Sequence, residues 1–106
     1  MLFRPGNEIR VVIEYWSVAE VSCSGLDHAT QHLVGVVDGL GRVCSPIQEF
    51  DYDKMEATTR SGKIYELHGK PSTDMDAKYV FANWCRLNQV TDVIDVTEEY
   101  WPNDDQ

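Results

Sequence analysis

The sequence predicts a single α+β domain. A bent antiparallel sheet of about five or six strands packs against one helix in the C-terminal half. Three observations predict it. Residues 8–24, EIRVVIEYWSVAEVSCS, alternate in the strand-like period of two. Residues 55–67 place a Ser61-Gly62 breaker between two short runs of strand character. Residues 74–88 carry apolar side chains at helical spacing behind a capping sequence. The chain has 106 residues, 42% of them apolar, with three Trp and five Tyr. That is enough for one core without staples, since aromatic side chains bury large areas.

Taken in order, Pro5, Gly6 and Asn7 punctuate the start. Ile9, Val11, Ile13 and Tyr15 then alternate with Arg10, Val12, Glu14 and Trp16. The run over 8–24 exceeds the usual strand length. It therefore requires a bend or bulge near Trp16 and Ser17, or a second strand over 18–23. Residues 25–30, GLDHAT, form a loop or one helical turn, and residues 31–37 return to strand. DGLG at 38–41 is a turn, because Gly tolerates positive φ. A strand resumes at Arg42. Pro46 cannot donate to a ladder, which puts this strand at an edge or at a bulge.

A three-residue loop, Arg60-Ser61-Gly62, with Gly62 in the left-handed region makes Thr59 face Lys63. Ala57 then faces Tyr65 and Met55 faces Leu67, giving one apolar face. A two-residue loop would mix the faces, so burial selects the first register. HGKPS at 68–72 stops the strand. Thr73 with Asp76 reads as an acidic capping box, and Asp74 and Asp76 suit the positive end of the helix dipole. Ala77, Val80, Phe81, Trp84 and Leu87 form the buried stripe, with Cys85 and Asn88 on its border and Trp84 in the core. Val90, Val93, Ile94 and Val96 support a short final strand or turn, and residues 98–106 read as an acidic tail.

The T-x-S-G-x-x-Y-x-L hairpin at 59–67 and the D-A-x-Y-V helix at 76–80 resemble those of small bacterial proteins of unassigned function. The likeness covers about a third of the chain. It implies mobile-element or gene-cassette cargo, and it brings no catalytic residue with it.

The formal net charge is −9, from 18 acidic and 9 basic residues. Such a field repels phosphate backbones and anionic lipid surfaces and suits a basic protein partner. No apolar run approaches the ~18 residues of a membrane span. The first ten residues hold no apolar signal-type stretch, and Cys23, Cys44 and Cys85 include no CxxC. A cytoplasmic protein with reduced thiols is expected.

Chemistry is sparse. His28 and His32 have the i, i+4 spacing of helical metal ligands, and they are the fallback pair should a metal bind. A strand beginning near Gln31 breaks that spacing, so neither metal nor cofactor is expected. Cys23, near Asp27 and His28, is the one cysteine placed for a lowered pKa. Asp51/Asp53 and Asp104/Asp105 are carboxylate pairs, but Asp is common in turns and the chain is rich in acids. GLG at 39–41 lacks the third Gly of a dinucleotide loop. Trp16, alternating away from Tyr15, and Tyr100-Trp101 remain as aromatic contact candidates. The expectation is a non-catalytic interaction protein, as a homodimer or with a protein partner. The alternatives are a small-molecule binder or minor enzyme with a cleft between helix and sheet, and an acidic nucleic-acid mimic.

Overall fold

The computed structural model describes residues 8–101. Strand β1 (Arg10–Cys23) is continuous over 14 residues, and the expected bend is a bulge within it. Its register against β2 (Thr30–Val37) slips between Glu14 and Ser17, and Tyr15 has φ 50°. The extra residue exchanges the two faces of the strand. Ile13 points into the core before the bulge, and Trp16 and Val18 point into it afterwards. Trp16 is therefore 0% exposed and Tyr15 is 53% exposed, the reverse of simple alternation.

The other edge of β1 is divided. Arg10–Ile13 pair with β6 (Ile64–Leu67), and Ala19–Cys23 pair with β7 (Val90–Asp95). Between them the chain after β6 fills the gap. His68 N–H donates to the Ile13 carbonyl (3.0 Å) and Ser72 N–H to that of Trp16 (3.0 Å). The β1–β6 pairing is parallel, whereas the others are antiparallel. A parallel pair cannot be closed by a hairpin turn, and here four intervening strands supply the long connection from β1 to β6. With β3 (Leu40–Val43), β4 (Ile47–Asp51) and β5 (Glu56–Thr59), the path runs β3-β2-β1-β6-β5-β4, and β7 joins at β1.

The outermost strands of that path, β3 and β4, are joined only by residues 44–46. Three residues span at most ~10 Å, so the path must curl until its ends approach. Pro46 lies in this link rather than inside a strand, and its carbonyl accepts the Arg60 N–H at 2.8 Å. The β5–β6 hairpin has the register the burial pattern selects, with Ala57 opposite Tyr65 and the Leu67 N–H on the Met55 carbonyl. Gly62 has φ 94°. The larger core, with Ile13, Trp16, Leu33, Ala57 and Tyr65, lies inside the curl.

Helix α1 (Met75–Leu87) covers the outside of the curl, over β3 and β2. Its cap is Asp74, one residue beyond the expected Thr73, and the Asp74 carboxylate accepts the Ala77 N–H (3.1 Å). Asp76 is thereby left to accept the Gly41 N–H (2.8 Å), which clips the β2–β3 turn to the helix. Ala77 is the buried helical residue, Phe81 and Trp84 are half-buried, and Leu87 is exposed. The stripe is shallower than expected, and Trp84 borders a smaller core of Ala19, Val21, Val34 and Val36. The helix rests on a narrow edge of the sheet, which one side chain per turn can cover.

After β7, Thr97–Glu99 form a 3-10 turn that returns Tyr100 to the larger core, where it is 8% exposed. The expected tail thus cannot begin at 98. Residues 102–106, with Asp104 and Asp105, lie outside the described residues, as do Pro5, Gly6 and Asn7. Among the described residues no helix is long and apolar enough to cross a membrane.

Candidate functional site

The histidines do not converge. β2 begins at Thr30, so His28 and His32 share no helix. His32 is buried, with Nδ1 on the Cys44 carbonyl (2.8 Å) and Nε2 on Thr30 Oγ1 (2.7 Å). Both ring nitrogens are engaged inside the fold, and the ring leans on Trp84 with centroids 4.8 Å apart. Burial lowers the His32 pKa below 6.5. His28 is solvent-exposed and contacts Asp27, and the exposed His68 lies near Glu66. The fallback ligand pair is therefore not assembled.

The cysteines are equally quiet. Burial pushes the Cys44 thiol up to about 11, against smaller opposing effects from Tyr65, Arg42 and Lys63. Tyr65 is raised by burial too, and its hydroxyl accepts from Arg42 (3.2 Å). This group is a satisfied core network. The Cys85 thiol is raised by burial and then by the charge of Cys23. Cys23 packs on the smaller core beneath α1, while His28 turns to Asp27.

Of the aromatic contact candidates, Trp16 is in the core, with its indole N–H on the Gly69 carbonyl (3.0 Å). Tyr100 is in the core as well, its hydroxyl donating to Gln31, and burial raises its pKa. Trp101 is 38% exposed and lies edge-on to Trp16 at 6.1 Å. The sequence misplaces Trp16 because the bulge at Tyr15 leaves no mark in its residue types.

What the fold does gather is a hollow of about 520 Å³ on the β4–β5 hairpin, lined by Glu49, Phe50, Asp51, Tyr52, Asp53, Glu56 and Thr58. Strand pairing builds it. Glu49 lies opposite Thr58, and Asp51 opposite Glu56, on the face turned away from the core. The turn beyond is held by Asp51 Oδ1, which accepts the N–H groups of Asp53 (3.0 Å) and Lys54 (3.1 Å). Phe50, between Glu49 and Asp51, turns to the opposite, core-facing side, where it lies edge-on to Tyr52 (4.7 Å) and Tyr100 (4.9 Å). Tyr52 is 54% exposed, and its hydroxyl donates to the Glu99 carbonyl (2.9 Å).

Charge in the hollow is uncompensated on one side. Arg10 reaches Glu56 at 2.9 Å and Glu66 at 3.4 Å. Among the described residues no Lys or Arg pairs with Glu49, Asp51 or Asp53. Chemically the arrangement offers several carboxylates and an exposed aromatic ring to a cation. Of these residues the sequence singles out only Asp51 and Asp53. Glu49 and Glu56 join them through the β4–β5 register, for which the sequence has no signal as strong as Ser61-Gly62. Comparison of the chain with protein-family models, with curated proteins and with solved structures gives no match.

Proposed function

We propose that this chain is a non-catalytic interaction protein that receives a basic segment of a partner protein on the outer face of the β4–β5 hairpin. The hollow carries the reading, with Glu49, Asp51, Asp53 and Glu56 beside the exposed Tyr52. Carboxylates make charge-assisted hydrogen bonds to ammonium and guanidinium groups. The Tyr52 ring offers a cation–π face, and the net charge of −9 steers a basic partner toward the chain. Homodimerisation through this face would oppose like charges. A nucleic-acid mimic needs a continuing row of acids, and Arg10 interrupts the row between Glu56 and Glu66.

The cleft reading has one observation behind it. A smaller apolar recess between α1 and the sheet is lined by Ala19, Val34, Phe81 and Val93, with Lys78 and Asp95 beside them. It measures about 190 Å³. Small-molecule sites usually span ~300–1,000 Å³, so the acidic hollow is favoured.

Titration of isotope-labelled protein with an Arg-rich peptide, followed by amide chemical shifts, tests the reading. Shifts should concentrate at 49–58, weaken with salt, and vanish in the Glu49→Lys/Asp51→Lys double variant. Shifts spread evenly over distant acids such as Asp27 and Asp92, or unaffected by the double variant, would reject it.

A further inference from the structure

The last residue of β1, Cys23, is paired with the first residue of β7, Val90. Next to that pair the Ser24 N–H donates to the Gln89 carbonyl at 3.0 Å. The end of α1 is therefore tied to the end of β1 by backbone. Cys85 stands in the last turns of α1, five positions before Val90. Its neighbour Trp84 and Cys23 pack on the same small core beneath the helix. Cys85 follows Trp84 by one helical step of ~100°, which puts it on the border of the seated face. Both cysteines are free and partly buried.

We propose that Cys23 and Cys85 are a dithiol pair that closes to a disulfide with a small disulfide, such as oxidised glutathione, as electron acceptor. One protein thiolate attacks a glutathione sulfur and expels a glutathione thiolate. The second protein thiolate attacks the mixed disulfide and expels another. Two protein thiols lose two protons and two electrons, and the oxidant becomes two glutathione thiols. The raised Cys85 thiol, which senses the charge of Cys23, is a slow first attacker and suits the resolving role. The product fastens α1 to β1 and closes a long loop, which stabilises the folded state. Cys44, buried and held near 11, is an internal control.

Trypsin places the three cysteines on separate peptides, 11–42, 43–54 and 79–86. Reduced protein is incubated with oxidised glutathione, quenched in acid, alkylated and digested. The expected product links 11–42 to 79–86, with Cys44 fully alkylated. Its melting temperature rises by several degrees and returns on reduction. Cys85→Ser should lose both the linked peptide and the oxidant-dependent rise. Three free thiols after prolonged oxidation, glutathione adducts without a link, a link through Cys44, or a rise retained in Cys85→Ser would each overturn the proposal.

Discussion

Gly41 tests the seating of the helix. A Cβ built there would meet Ala77 Cα at 2.9 Å and the Asp76 carbonyl oxygen at 2.9 Å. Ordinary contacts of this kind begin near 3.4 Å. Both neighbours are helix backbone, so the β2–β3 turn and the first turn of α1 must separate. The hydrogen bond from Gly41 N–H to Asp76 lies across the same gap. Overpacking of this sort costs about 1–3 kcal/mol. Restricting the unfolded chain returns about 0.4–1 kcal/mol, because Gly41 needs no left-handed backbone. A net loss of about 1–2 kcal/mol should lower the melting temperature of Gly41→Ala by roughly 5–12 °C, on the ~4–8 °C per kcal/mol expected at this size. Thermal melts by circular dichroism read it directly. Gly62 gives the contrast, with φ 94° and nothing within 4 Å of its added Cβ. Gly62→Ala incurs only backbone strain of about 1–2 kcal/mol, and Asn, which tolerates that region, should recover part of it. At Gly41, Asn should be worse than Ala, because volume is the problem there. A Gly41→Ala protein melting at or above the parent, or a rescue by Asn at 41, would refute the described seat.

Four further outcomes are expected. Trp16→Ala should cost about 3–5 kcal/mol in urea unfolding, and the half-buried Trp84 roughly half as much; equal losses would contradict the burial of the two rings. In a Trp84→Phe/Trp101→Phe background, iodide should leave the remaining Trp16 emission largely unquenched. His32 has a folded pKa below its unfolded value of 6.5, so the unfolded chain binds the proton first as pH falls. Stability from this group is complete above about pH 6.5 and declines as pH drops through that value toward the lower folded pKa, so His32→Gln should flatten the decline between about pH 7.5 and 5.5; an unchanged slope would assign it elsewhere. Treatment with EDTA should leave the melting temperature unchanged, because His32 engages both nitrogens with Thr30 and Cys44, and a large drop would revive a metal role.

The parts of the fold legible in the sequence are those fixed by local chemistry. Ser61-Gly62 sets a turn, and the turn sets a register, so the Ala57–Tyr65 pairing follows from residue types and spacing alone. The helix can be placed from its acidic start and its 3.6-residue pattern. Its exact cap cannot, because Thr73, Asp74 and Asp76 are all competent acceptors and the choice rests on where the Gly41 N–H lies. Trp16 is misplaced for a related reason. Alternation holds on each side of Tyr15 but changes sense across it, and a bulge at a Tyr with φ 50° has none of the Gly or Asn that would announce it. The parallel β1–β6 pairing is likewise invisible, since it joins segments more than 50 residues apart. The acidic hollow is half legible. Asp51 and Asp53 are close in sequence, but Glu56 and Thr58 reach them only through strand pairing.

The divided edge of β1 also bears on how the chain is made. During synthesis β1 emerges first and can form its hairpin with β2 as soon as Val37 is available. Its opposite edge has no partner until β6 appears, and the half beyond the bulge waits for β7, which ends at Asp95. At roughly 5–20 residues per second, that edge stands open for several seconds in every nascent chain. An unpaired strand with Val and Ile side chains is a template for another copy doing the same. The −9 charge, spread over both halves of the sequence, keeps neighbouring nascent chains apart during that interval. A ribosome stalled before residue 90 would therefore display a half-built sheet, able to capture β-prone segments that the finished protein ignores.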